Sequence, residues 1–160
     1  MKIVFLSDYD IVNYKKPSMF IGFPKCSGKC NKINGEIVCQ NEALKSADKI
    51  EISADEIVDL YIHNNIVKAI IFGGLEPFDT PEDLIFLVQK FREKTIDDIV
   101  IYTGYTEFEV KNMEIYGKLL QYSNIIIKYG RYIMNQQPHY DKILGVKLAS
   151  NNQYARLISE

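Results

Sequence analysis

The chain has 160 residues, the size of one domain able to hide about 70% of its unfolded surface. Hydrophobic residues make up 47% and charged residues 25%, and the net charge is -2, an ordinary globular mix with no general electrostatic reason to bind nucleic acid. The largest apolar runs, such as Ile66–Phe72, are too short to cross a bilayer, so no membrane span is expected.

At the start of the chain, Met1–Leu6 runs straight into Ser7-Asp8-Tyr9-Asp10 and lacks the pattern of a secretion signal, so a cytoplasmic location is expected. Lys2–Leu6 alternates weakly and is a strand candidate. Ser18–Phe23 is a stronger one, and it leads into a window that holds all three cysteines, Cys26, Cys30 and Cys39. An odd count in such a protein argues against a disulfide framework, and thiols this close together point to a metal or cluster site. Between the second and third thiols, Asn34-Gly35 flanked by apolar residues predicts a hairpin turn.

Regular patterning begins near residue 53. Ser53 and Glu56 form a capping-box pair, predicting a helix over 53–64 with Ile57, Leu60 and Tyr61 on one face. Ile66–Phe72 reads as a strand buried on both sides, ended by Gly73-Gly74-Leu75-Glu76-Pro77. Thr80, Pro81 and Asp83 open a helix whose core side carries Leu84, Leu87, Val88 and Phe91. Asp98–Tyr102 is the next strand, Thr103-Gly104-Tyr105 its turn, and Thr106 with Glu109 caps a helix carrying Phe108, Val110 and Met113. Ile125–Ile127 is a further strand. The repeating order predicts an α/β fold with a mostly parallel sheet in a single domain, residues 1–160.

In βα architectures the loops after the strands gather on one rim. The cysteine window, the Gly73–Pro77 turn and Thr103–Tyr105 should therefore meet above the sheet. A closed eight-unit barrel needs roughly 250 residues, so the sheet is expected to stay open, with room for a large substrate. The thiols suit either zinc or iron. Cys26 and Cys30 have zinc-like spacing, but a fourth ligand would have to be His63, His139 or a carboxylate. His63 falls at a helix end and His139 in a polar loop, both expected to face solvent. Three thiolates suit an open coordination position, as in a cluster that leaves one iron free. Gly73 and Gly74 permit close approach to a ligand. Pro77 holds Glu76 extended toward the rim, where its carboxylate could take an amino group or a ribose hydroxyl.

These residues resemble the radical S-adenosylmethionine enzymes, and within them the small activating enzyme of the anaerobic (class III) ribonucleoside-triphosphate reductase. The resemblance rests on the thiol loop Cys26–Asn41, on Phe72–Pro77, on Ile101–Tyr105, and on Gly130-Arg131-Tyr132 with Ala149–Gln153. It implies an incomplete, open βα barrel in which Cys26, Cys30 and Cys39 hold a [4Fe–4S] cluster. Gly73, Gly74 and Glu76 would cradle the methionine end of S-adenosylmethionine, with Thr103, Gly104 and Tyr105 beside it. Val38 would stand where the family touches the adenine. It further implies, as partners, the large glycyl-radical subunit of the reductase and an external electron donor such as a flavodoxin. The chain departs from the family pattern in three places. Eight residues separate Cys30 from Cys39, so the cysteine loop at about 24–41 is enlarged. Leu75 is an extra residue in the usual Gly-Gly-Glu-Pro, and Lys128 stands where relatives often carry an acid. Two alternatives stay open: a small-molecule enzyme of the 7-carboxy-7-deazaguanine synthase type, and a non-catalytic zinc-binding module.

Overall fold

A computed structural model describes residues 1–160. The N-terminal segment forms two strands instead of one, β1 (Lys2–Ile3) and β2 (Phe5–Asp10), followed by β3 (Ser18–Phe23). The cysteine loop carries a short helix, α1 (Lys29–Asn34), and a 3₁₀ turn, Glu42–Lys45. Next come β4 (Ile50–Glu51), α2 (Ala54–Ile62), β5 (Ala69–Gly74) and α3 (Pro81–Arg92). Strand β6 (Asp98–Tyr102), helices α4 (Glu107–Lys111) and α5 (Glu114–Leu119), and β7 (Ile125–Tyr129) continue the pattern. The chain ends with β8 (His139–Asp141), β9 (Val146–Leu148) and β10 (Tyr154–Ser159). No helix is long and apolar enough to cross a membrane.

The main sheet has the order β10-β7-β6-β5-β3-β2. Its four central strands, β3, β5, β6 and β7, are parallel and lie in chain order, while β2 and β10 run antiparallel at the two edges. The fold is therefore α/β with a mostly parallel, open sheet. Alternation along β5 explains the layering. Ile70 and Phe72 face the larger core, built with Ile57 and Tyr61 of α2, Leu87 and Phe91 of α3, and Leu119 of α5. Ala69 and Ile71 face the other side, where Tyr14, Leu144 and Leu148 close a smaller core with Val100 and Ile126. The helical side chains that enter a core all enter the larger one, so the helices cover one face of the sheet. The other face is left to loops, the β8–β9 hairpin and a cavity.

Both capping boxes form: Ser53 Oγ and Thr106 Oγ1 accept from the backbone N–H groups of Glu56 and Glu109, whose carboxylates return the bond. Further expectations change, and Leu60, expected on the face of Ile57 and Tyr61, is exposed. The strand expected at 66–72 starts at Ala69, where pairing with Ser18 of β3 begins, and extends to Gly74, while Ile66 is exposed. The helix after Thr106 breaks at Asn112, so Met113 caps α5, and Phe108 faces solvent. Thr80 makes no side-chain cap; Pro81 alone marks the start of α3. Asn34-Gly35 is no hairpin. Gly35 ends α1 in the left-handed conformation (φ 72°), and Ile33 and Ile37 stay exposed with no strand to pair with.

Candidate functional site

The ends of β3, β5, β6 and β7 meet around one cavity of about 450 Å³. The registers Gly22↔Gly73 and Tyr102↔Lys128 bring the ends of adjacent strands level. At the β3–β5 seam the backbones come close. Gly74 has φ +79°, and a Cβ there would sit 2.8 Å from the Gly22 Cα. The turn that follows is tied to the cysteine loop by the Glu76 N–H, which donates to the Lys25 carbonyl at 2.7 Å.

Glu76 is the hub of the site. It is 7% exposed. Its Oε1 accepts from Thr103 Oγ1 (2.8 Å) and the Phe78 N–H (3.2 Å), and its Oε2 from the Gly104 N–H (2.8 Å). Burial pushes the carboxyl up to about 7, against these three donors, which pull it down. The same cavity is lined by Lys128, 7% exposed. Its single hydrogen bond goes to the Gly130 carbonyl at 2.8 Å. Burial pushes the ammonium down to about 8, opposed by the nearby Glu76 and Cys30. The cavity thus holds one buried acid and one buried base that are not paired with each other.

Cys26, Cys30 and Cys39 all line this cavity, with Val38, Gly73, Gly74, Glu76, Thr103 and Gly104. Burial raises the thiols of Cys26 and Cys30, opposed by backbone N–H groups of Gly28 and Tyr132 respectively. A Cβ on Gly104 would lie 3.6 Å from both Cys30 Sγ and Glu76 Oε2, so the missing side chain keeps open the space between thiol and carboxylate. Tyr105 is the exception among the expected site residues. It stands behind the wall, with its hydroxyl donating to Asp79 Oδ1 at 2.6 Å and its ring under Lys29 and Arg131. The two histidines take no part. His63 is exposed and bonds Asp59 of its own helix. His139 lies half-buried in β8, against the Gln153 carbonyl, where a solvent-facing loop was expected.

The model of the 4Fe-4S single cluster domain matches residues 18–154. The chain belongs to this family. Curated proteins and solved structures give no match. As a 4Fe-4S single cluster domain, the protein has a donor set to offer that consists of three thiols around one cavity, the residue type that holds such clusters. No three His, Cys, Asp or Glu side chains converge as ligands of one ion.

Several residues brace the single-cluster domain in roles that the sequence did not assign them. Asp79 Oδ2 accepts from the Ser27 N–H at 2.8 Å while its Oδ1 holds Tyr105. Arg131 forms a two-pronged bond to Glu109 at 2.8 and 2.9 Å and holds that carboxyl down at about 2. Gln153 Nε2 and Asn152 Nδ2 bind the carbonyls of Gly130 and Arg131. The Gly130-Arg131 and Ser150–Gln153 segments carry part of this signal; for Asp79 only its place after Glu76-Pro77 could have drawn notice.

Proposed function

We propose that this single-cluster domain is a glycyl-radical activase, for which the reductase's glycyl-radical subunit is the protein substrate. When bound, the cluster would deliver an electron, from a donor such as a flavodoxin, to S-adenosylmethionine, giving methionine and a 5′-deoxyadenosyl radical that takes hydrogen from a glycine. Cys26, Cys30 and Cys39 would hold the cluster, leaving one iron open.

The observation that carries the reading is the acid and base that line one cavity with these thiols and are not paired with each other. Glu76 and Lys128 set an acid and a base at separate points of one cavity, which matches the ammonium and carboxylate of an amino-acid zwitterion. Thr103 Oγ1 and the Gly104 N–H are engaged by Glu76, so they orient its carboxylate and do not themselves meet the ligand. Gly73 and Gly74 allow a ligand to approach the backbone, and Val38 lines the same space. The one-sided helix layer over an open parallel sheet supports a partial βα barrel, in which helices lie outside and the site inside. No residue need act as an acid or base, since the reaction belongs to the cofactors and the chain positions them.

The test is anaerobic loading with iron and sulfide, reduction, and addition of S-adenosylmethionine. Methionine and 5′-deoxyadenosine are expected in equal amounts, with weaker cofactor binding in Lys128→Met. A glycyl-radical signal should follow when the reductase subunit is added. Absence of both products overturns the cofactor reading. Products without a radical on the protein partner favour a small-molecule substrate instead.

A further inference from the structure

The enlarged cysteine loop poses a physical question. Eight residues separate Cys30 from Cys39, and a segment of that length is free to place its far thiol in many positions. No main-chain hydrogen bond joins Gly35–Cys39 to α1. One side chain does so instead. Asn31, next to Cys30, accepts with its Oδ1 from the Val38 N–H at 3.0 Å and the Cys39 N–H at 3.1 Å. Its Nδ2 donates to Glu42 Oε2 at 2.8 Å, and Lys45 Nζ holds the same oxygen at 2.7 Å. The helix bearing Asn31 is itself fixed. Asn34 Nδ2 donates to the Cys30 and Tyr132 carbonyls at 2.8 and 3.0 Å, and its Oδ1 accepts from the Met134 N–H at 3.1 Å.

We infer that Asn31 is the positioning residue for the third thiol. A single amide clamps Cys39 to the residue beside Cys30, so the long spacing in sequence becomes a short link through one side chain. Asn34 carries the clamp onto the 130–134 segment, which Ser150 and Asn152 brace in turn. The Gly130–Tyr132 and Ser150–Gln153 segments thus support the thiol loop from behind. Asn31 touches no ligand of the reaction; it acts through Cys39. The inference rests on Cys39 being a cluster ligand, as proposed above.

The test compares the loaded protein with Asn31→Ala, with the exchange Asn31→Asp plus Glu42→Gln, and with Cys39→Ala. Iron release to an excess of chelator is followed without oxygen, and the reduced cluster is examined by electron paramagnetic resonance. The alanine variant loses two hydrogen bonds at the third thiol and should release iron about tenfold faster, with a shifted or broadened resonance. The double exchange restores an acceptor for both N–H groups and a donor–acceptor pair at position 42 with unchanged net charge. It should return release and resonance close to wild type, which a loss of packing alone would not do. Wild-type release and resonance in Asn31→Ala, or failure of the exchange to rescue, overturns the inference. A full, normal cluster in Cys39→Ala overturns the ligand reading instead, and the clamp with it.

Discussion

Replacing Glu76 with Gln separates two forces acting on the buried carboxyl. Three donors favour its charged form, while burial favours the neutral form and wins, leaving the group at about 7. In the unfolded chain a glutamate titrates near 4.3. Between these limits the folded protein keeps a proton that the unfolded chain has released. Stability from this group is therefore fully present at low pH and lost as pH rises through about 7. At 1.36 kcal/mol per pH unit of difference the whole effect is about 4 kcal/mol, most of it between pH 5 and pH 8. Glutamine cannot titrate. Its amide also sets N–H against the Gly104 N–H, costing about 1 to 3 kcal/mol for the bond left unmade. Urea unfolding of the cluster-free, reduced protein at the two pH values gives the comparison. Wild type should lose about 2.5 kcal/mol more than Glu76→Gln on going from pH 5 to pH 8. Equal losses in the two proteins would show that Glu76 is charged throughout, and that its three hydrogen bonds outweigh burial.

Two glycine substitutions probe the walls of the cavity in different ways. Gly104→Ala adds a methyl group at ordinary contact distance, 3.5 Å from Arg131 Cγ and 3.6 Å from Cys30 Sγ, without backbone strain. The unfolding midpoint of the cluster-free protein should hardly move, while iron and sulfide uptake on loading should fall, because the methyl fills space beside the thiol. Gly74→Ala forces a Cβ against the Gly22 main chain at a φ of +79°, and should cost roughly 3 kcal/mol in urea unfolding.

Much of this architecture is written locally. Ser18–Phe23 and Asp98–Tyr102 are bounded as strands by their own apolar patterns, and the Ser53/Glu56 and Thr106/Glu109 pairs mark helix starts that form as capping boxes. The cysteines, the glycine turn and Glu76 declare themselves by type and spacing, and chain topology alone brings them to one rim. The edge strands β2 and β10 are harder to read, since half-exposed sequences such as Phe5–Asp10 show no clean alternation. Asn34-Gly35 misleads because a left-handed glycine serves a helix end as well as a hairpin; the partners that decide, Tyr132 and Met134, lie about a hundred residues away. Asn31 and Asp79 are ordinary polar residues until the fold shows which N–H groups they hold. The pairing of Arg131 with Glu109, and the burial of Lys128 without an ion-pair partner, likewise exist only once β7 and α4 have come together.

The order of the strands has a consequence for synthesis. Because β3, β5, β6 and β7 are laid side by side in chain order, each can add to the sheet soon after it leaves the ribosome. The segment after β7 differs: β10 must return antiparallel to β7, and Ser150, Asn152 and Gln153 grip the 130–133 segment only after residue 153 has emerged. The socket for the thiol loop is thus completed after the central sheet. Iron–sulfur delivery before that point would meet a sheet already in place but a rim still unbraced, so maturation should follow the synthesis of residues 150–153.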